Sequence, residues 1–343
     1  MNRFSIGVDL GGTNLRIAAV DETGRLIEKV TLGTKVSLGR DAVLNDMCEA
    51  IQRLSHKYGN SGALCGIGIG VPGIIDMQTG LLRESPNLPG WADYPVRDEI
   101  ERRLKTMVIL ENDANVAGFG EKWLGAAKDH DDMAMLTLGT GVGGGLVFGG
   151  KIWHGMNGMA GEFGHSTVEP EGHPCGCGNR GCLEQYASAT AVVRMAREAI
   201  AENGESGLAR AFHSDPEFSA KSIYNLAIQG DEDARRVFRR VGRALGIVLS
   251  AMVNALNLPI YVVGGGVASA WDAFAPTVFE ELRHRCMVYA ATAPPDPLAP
   301  ATGASAHVDP GPGRKTIVTR ALLGSDAGLY GAARLPMVAE GNR

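Results

Sequence analysis

The sequence has no block of basic residues: 33 Lys and Arg stand against 38 Asp and Glu, for a formal net charge of −5. A general nucleic-acid or membrane-surface binder needs a concentrated positive field, so neither class is expected and the partner should be a small molecule. Nor is a secretory leader expected, because Met1 to Ser5 runs straight into an apolar, glycine-punctuated strand pattern with no small-residue cleavage site. The expected location is the cytoplasm. In that reducing compartment disulfides are not expected, and Cys48, Cys65 and Cys286 read as small core hydrophobes. One uncharged stretch, Ala244 to Trp271, exceeds the roughly 20 residues of a membrane-spanning helix. Asn254, Asn257, Pro259 and the glycines Gly264 to Gly266 divide it, so it reads as a buried helix, a turn, a buried strand and a loop. No G-x-x-x-x-G-K-[ST] phosphate loop occurs. What remains is ordinary globular composition with one excess. Apolar residues make up 45% and charged residues 21%, but Gly reaches 47 of 343 residues, nearly twice the usual share of about 7%. At about 150 residues per domain, this length predicts two domains with a cleft.

Two segments share one plan. Ile6 to Asp21 and Met135 to Gly150 each read as an apolar strand, a glycine turn and a second strand, with Leu10-Gly11 over Leu138-Gly139. This predicts two related α/β halves facing one another, with a nucleotide between them. Around them strands alternate with helices. Helices are expected at Asp41 to Tyr58, Pro95 to Leu104, Ala114 to Trp123, Ala187 to Glu202, Ser222 to Gln229, Glu232 to Leu256, after Ala270, and at Asp326 to Arg334. Strands are expected at Cys65 to Val71, Met107 to Leu110, Ile260 to Val263 and Thr316 to Ala321. The Pro-, Ala- and Gly-rich stretch 290–314 predicts a mobile surface loop.

Glycine turns after strands supply backbone N–H groups that a side chain would otherwise screen. In GVDLGGTN, Gly11 and Gly12 open such a turn, Thr13 adds a hydroxyl, and Asp9 is placed beside a phosphate-bound Mg²⁺; an ordinary hairpin turn is the plainer reading. LGTGVGG, from Leu138 to Gly144, is a second turn of this kind, and two cradles suit a polyphosphate chain. Gly68, Gly70 and Gly73 also fit G-x-G-x-x-G, but Pro72 interrupts them and Ile74 to Gly80 reads as strand and turn where a dinucleotide fingerprint must open a helix. A hydride-transfer enzyme is therefore not expected. In MVILENDAN, Asn112 and Asp113 occupy a strand-to-helix corner, where α/β sheets present polar groups to ligands. Asp113 either accepts a proton from a substrate hydroxyl or caps the helix that follows, and the two roles are compatible. His165, Cys175, Cys177 and Cys182 form a Cys₃His zinc set on a glycine-rich knuckle, with His173 as the competing histidine. Four protein ligands leave no open position, so this metal would be structural. Glu162 and Glu184 flank the knuckle and suit sugar hydroxyls. The glycines ending YVVGGGVA admit either a flat adenine ring or tight chain packing.

Together IGVDLGGTN, GVPG, PNLPGW, ENDAN, LGTGVGGG, the ExGH of Glu162 to His165, and CGCGNRGCLE resemble the ROK family of sugar kinases and regulators, in the actin-like ATPase superfamily. Within the family the resemblance is strongest to bacterial ATP-dependent glucokinases, through PNLPGW and LENDAN. The resemblance implies a two-lobed actin-like (ribonuclease H-like) α/β fold with duplicated domains. Residues 1–117 plus 325–343 would form a smaller lobe, and 118–324 a larger one with the zinc knuckle and the Pro-rich loop. It implies Asp113 as the catalytic base, with Asn112, Gly73, Asn87, Glu162, His165 and Glu184 on the sugar, and His165 serving both zinc and sugar. Gly11, Gly12, Thr13, Thr140 and Gly141 match phosphate-loop positions, and Gly265 and Gly266 the adenosine side. The implied reaction is transfer of the ATP γ-phosphoryl group to a hexose 6-hydroxyl with Mg²⁺, in a homodimer. Other hexoses, N-acetylhexosamines and a polyphosphate donor stay open. Regulators of this family carry an N-terminal helix-turn-helix, for which the start of the first strand near Phe4 leaves no room.

Overall fold

The computed structural model describes residues 3–60, 62–85, 87–298 and 314–340. In chain order β1 (Arg3–Leu10), β2 (Asn14–Asp21), β3 (Leu26–Gly33), α1 (Arg40–Gly59), β4 (Ala63–Val71), β5 (Ile74–Asp76), β6 (Leu81–Glu84), α2 (Val96–Leu104), β7 (Val108–Asn112) and α3 (Asp113–Leu124) come first. They are followed by β8 (Met133–Leu138), β9 (Val142–Phe148), β10 (Lys151–Ile152), α4 (Glu184–Ala187), α5 (Ala189–Glu202), α6 (Gly207–Ser214), α7 (Ala220–Gln229) and α8 (Glu232–Leu256). The chain closes with β11 (Ile260–Gly264), α9 (Trp271–Arg285), α10 (Met287–Thr292), β12 (Ile317–Arg320) and α11 (Ala327–Glu340). The first sheet is ordered β3-β2-β1-β4-β7 and the second β10-β9-β8-β11-β12. Counted from β1 and from β8, both read third, second, first, fourth, fifth. In the first sheet β1, β2 and β3 pair antiparallel while β4 and β7 add in parallel; in the second, β8, β11 and β12 are parallel. The plan shared by Ile6 to Asp21 and Met135 to Gly150 is thus the opening of two copies of one α/β design.

By chain contacts the protein divides into two compact units. One comprises the chain up to Asp131, Gly145–Gly161 and the chain from Leu322; the other comprises Asp132–Gly144 and Glu162–Ala321. The expected break at 117/118 falls inside α3, which stays whole within the first unit, and that unit also takes back 145–161.

In the first unit, β1 and β4 are buried almost throughout because helices cover both faces of the sheet, whereas the edge strand β3 alternates, with Lys29, Thr31 and Gly33 exposed. Val43, Leu44, Met47, Ile51 and Leu54 of α1 repeat at helical spacing and join Phe4, Ile6, Val8 and Ile67 in one core. The other face is closed by α11 and α3, through Leu329 and Ala333 on Ala18 and Val20, and through Ala332 and Leu335 on Val116 and Phe119. Contact there is backbone-close: a Cβ on Gly68 would stand 1.9 Å from the Ala332 carbonyl, and one on Gly331 would stand 1.7 Å from that of Val116. Helix α11 was expected to end at Arg334, yet it continues through Pro336 to Glu340. Proline removes the N–H that would serve the Ala332 carbonyl, and the bare Gly68 lies against that same oxygen.

In the second unit, α8 has the expected limits, set by Asp231 accepting from Ala234 N–H at the start and by left-handed Asn257 at the end. The expected helix 187–202 is broken at Ser188, which caps α5 by accepting from Ala191 N–H. The short helices α6 and α10 were not expected. Residues 290–292 of the expected Pro-rich loop belong to α10, while 299–313 lie outside the described residues. Among the described residues no helix is long and apolar enough to cross a membrane, and Ala244 to Trp271 folds as the end of α8, β11 and a short 3-10 turn.

Candidate active site

In the first unit the Gly11–Thr13 turn joins β1 to β2. Gly11 N–H closes it on the Asn14 carbonyl at 2.9 Å, and Thr34 braces it by donating its hydroxyl to the Gly11 carbonyl at 2.7 Å and its N–H to that of Thr13 at 2.8 Å. Gly11 N–H is thus committed to the turn, which leaves Gly12 and Thr13 of the three expected phosphate positions. A Cβ on Gly12 would stand 3.2 Å from the Asn87 carbonyl, so the structure brings this turn and Asn87 together. Pro86, which opens PNLPGW, lies outside the described residues. Asp9, at the end of β1, accepts from Arg16 Nη1 at 3.0 Å, and burial pushes its carboxyl pKa up against the opposing pull of Arg16. A cation at Asp9 would favour the charged form that burial disfavours.

The strand-to-helix corner is capped by Asn112, not Asp113. Asn112 keeps the extended conformation of β7, and its Oδ1 accepts from Ala114 N–H at 2.9 Å and Asn115 N–H at 3.2 Å. Its Nδ2 donates to the Gly73 carbonyl at 3.2 Å, so two expected sugar positions are joined. Gly73 has φ +123° and a Cβ there would stand 2.1 Å from the Glu84 carbonyl, so only glycine fits. Asp113 is instead the first residue of α3, its Oδ1 accepting from Ala114 N–H at 2.8 Å, where the helix dipole favours an ionised carboxylate. Behind the corner, buried Glu111 takes Asn112 N–H at 2.9 Å and Asn115 Nδ2 at 3.0 Å on Oε1, and lies 2.6 Å from His154 Nε2 through Oε2. That hydrogen bond raises the His154 pKa above its ordinary value, against partial burial. His154 escaped the sequence reading, since nothing around a lone histidine in WHGMNGM marks a partner so far back in the chain.

The second unit repeats the turn. Gly139 N–H closes it on the Gly141 carbonyl at 2.9 Å, and Thr190 and Ala189 at the start of α5 brace the carbonyls of Thr140 and Gly139 at 2.9 and 2.8 Å. Glu184 Oε2 accepts from Val142 N–H at 3.0 Å, which ties an expected sugar carboxylate to the phosphate turn. Gly265 and Gly266 follow β11 beside that turn. A Cβ on Gly265 would stand 2.5 Å from the Leu138 carbonyl, so packing accounts for it; Gly266 faces open space.

The knuckle gathers His165, Cys175, Cys177 and Cys182 with all ligand atoms within 4.8 Å of one another. Cys177 and Cys182 sulfurs are 3.7 Å apart, and Cys175 Sγ is 3.6 Å from His165 Nδ1. A zinc tetrahedron with bonds of about 2.3 Å to sulfur and about 2.0 Å to nitrogen has edges of roughly 3.5 to 3.8 Å, so the set fits the ion. Burial, then the neighbouring thiols, push Cys182 up to about 12, while the Asn179 N–H lowers Cys177. His173 instead meets Glu198 at 3.2 Å. His165 turns Nδ1 to the sulfurs and leaves Nε2 on the side of Glu162, 4.0 Å from its Oε2.

A sequence model of the ROK family matches residues 5–337. The chain is 38% identical over 336 residues to a glucokinase of Halalkalibacterium halodurans, covering 97% of this chain and 95% of that protein. It is 40% identical over 284 residues to a glucokinase of Thermotoga maritima, covering 83% and 87%. Among solved structures, a ROK family glucokinase from Streptomyces griseus in complex with glucose and AMPPNP superposes with TM-score 0.77 at 33% identity, over 97% of this chain and 98% of that one. The duplicated sheet plan therefore has the actin-like form of these relatives, and the chain belongs to the ROK family.

Proposed function

We propose that the protein is an ATP-dependent glucokinase in which Asp113 removes the proton of the glucose 6-hydroxyl. The observation that carries the base assignment is the corner itself: Asn112 supplies the cap and is fixed to Gly73, and Asp113 follows it in the first helical turn, beside the proposed sugar-binding amide. Similarity over nearly the whole chain to glucokinases supports the substrates. The 6-oxygen attacks the γ-phosphorus in line, its proton passes to the Asp113 carboxylate, and the bond from the γ-phosphorus to the bridging oxygen breaks to leave ADP. Backbone N–H groups of Gly12, Thr13, Thr140 and Gly141 hold phosphate oxygens; Glu162, Glu184 and His165 Nε2 take the other sugar hydroxyls. Asp9 would hold a phosphate-bound Mg²⁺, which supplies neutralising charge. Cys175, Cys177, Cys182 and His165 would hold a structural Zn²⁺, which keeps His165 and Glu184 in place and, with four protein ligands, has no open position for water.

The test is a coupled assay over a hexose and N-acetylhexosamine panel with ATP or polyphosphate. Glucose with ATP should be preferred. Asp113→Asn should lose about 10²- to 10⁴-fold in turnover while glucose binding by calorimetry survives. Near-normal activity in that variant would refute the base; no turnover of any sugar by the wild type would favour a sugar-sensing regulator.

A further inference from the structure

Residues 154–160 form a closed turn, fastened where Ala160 N–H donates to the His154 carbonyl at 3.1 Å, and the chain then passes through Gly161 to Glu162. The side chain of that same His154 meets Glu111 at 2.6 Å. Glu111 is 2% exposed and also holds Asn112 N–H and the Asn115 amide, so one buried carboxylate joins the Asn112–Asp113 corner to the turn that leads into Glu162. A carboxylate only accepts, so the Nε2 proton belongs to the imidazole. Without that donor, Glu111 keeps a buried oxygen with no partner. It must then rotate toward water or toward another donor, and either change slackens its hold on Asn112.

We infer that His154 and Glu111 are positioning residues for phosphoryl transfer, holding the Asn112–Asp113 corner in register with the turn before Glu162. The inference rests on the reading of Asp113 as base. His154 touches no substrate in this account and acts through Glu111. Sub-ångström placement of a base governs the chemical step more than nucleotide affinity, so loss of the pair acts on kcat.

The test compares His154→Ala, His154→Gln and Glu111→Gln in otherwise intact protein. His154→Ala should lower kcat by about 10- to 100-fold with KM for ATP nearly unchanged. His154→Gln places an amide donor near the Nε2 position and should recover most of that loss. The double variant Glu111→Gln with His154→Ala should be no worse than the poorer single variant. In the absence of any substrate, amide exchange of the segment 108–118, followed by mass spectrometry, should quicken in His154→Ala and not in His154→Gln. Wild-type kcat in His154→Ala overturns the inference, as does equal loss in the Ala and Gln variants. Unchanged exchange in His154→Ala also overturns it. A wild type that does not phosphorylate glucose refutes the glucokinase reading instead, while the exchange result still decides the positioning.

Discussion

Replacing Gly141 by alanine adds one methyl group at the junction of the second glycine turn and Glu184, the proposed phosphate cradle and sugar carboxylate. Gly141 is not among the glycines with positive φ, so alanine meets no backbone strain and the methyl alone is at issue. Its Cβ would stand 2.5 Å from Glu184 Oε2 and 3.4 Å from the carboxyl carbon. Restoring van der Waals contact needs a retreat of roughly 1 Å by the carboxylate. That motion breaks the 3.0 Å bond from Val142 N–H to Glu184, a charge-assisted bond worth about 1.5 to 3 kcal/mol. Misplacing a substrate-positioning group by about 1 Å costs about 10²-fold, which at 1.36 kcal/mol per tenfold is about 2.7 kcal/mol of barrier. Steady-state kinetics should therefore show kcat/KM for glucose falling by about 100-fold. Gly139→Ala is the control, since its Cβ meets nothing nearer than 3.9 Å and should cost far less. Equal behaviour of the two variants, or wild-type glucose kinetics in Gly141→Ala, would refute the proposed link between the phosphate turn and the sugar carboxylate.

Metal analysis of the purified protein should find about one zinc per chain, and Cys177→Ala should lose it and raise KM for glucose by about 10-fold or more, because His165 and Glu184 lose their anchor. Zinc absent from the wild type would reject the site. Glu121 is fully buried and accepts three backbone N–H groups, from Ala126 at 2.8 Å, Leu322 at 3.1 Å and Leu323 at 2.8 Å, the last two where the chain returns to the first unit. Glu121→Ala should cost about 3 to 5 kcal/mol in urea unfolding, and Glu121→Gln less because its amide oxygen still accepts; a loss below about 1 kcal/mol in the Ala variant would show that water replaces the carboxylate.

The parts of this molecule that could be read from sequence are those whose signal is local. Asp231 and Asn257 bracket α8, and the four knuckle ligands lie close enough along the chain for their spacing to suggest zinc. The corner was half legible: Asn112 and Asp113 are both good caps, and only the extended backbone of Asn112, inherited from β7, decides between them. Short helices of 8 and 6 residues, α6 and α10, carry too few turns for apolar periodicity to declare itself. The Glu111–His154 bond spans 43 positions and rests on one side-chain contact, so neither spacing nor pattern encodes it.

Glycine shows where composition misleads. An excess of this residue, beside two glycine turns, reads as a chemistry of phosphate cradles. Yet Gly68 and Gly331 serve no ligand: each admits a neighbouring carbonyl into the space a Cβ would fill, and together they let α11 settle onto β4 and α3. A cradle and a backbone packing contact both require the missing methyl, so a glycine count cannot separate them. What separates them is the neighbour met by an added Cβ. At Gly265 it is the backbone of Leu138, at Gly141 the carboxylate of Glu184, and at Gly266 open space. At Gly265 packing alone thus already requires the missing methyl, whereas an alanine at Gly141 should be felt in glucose kinetics.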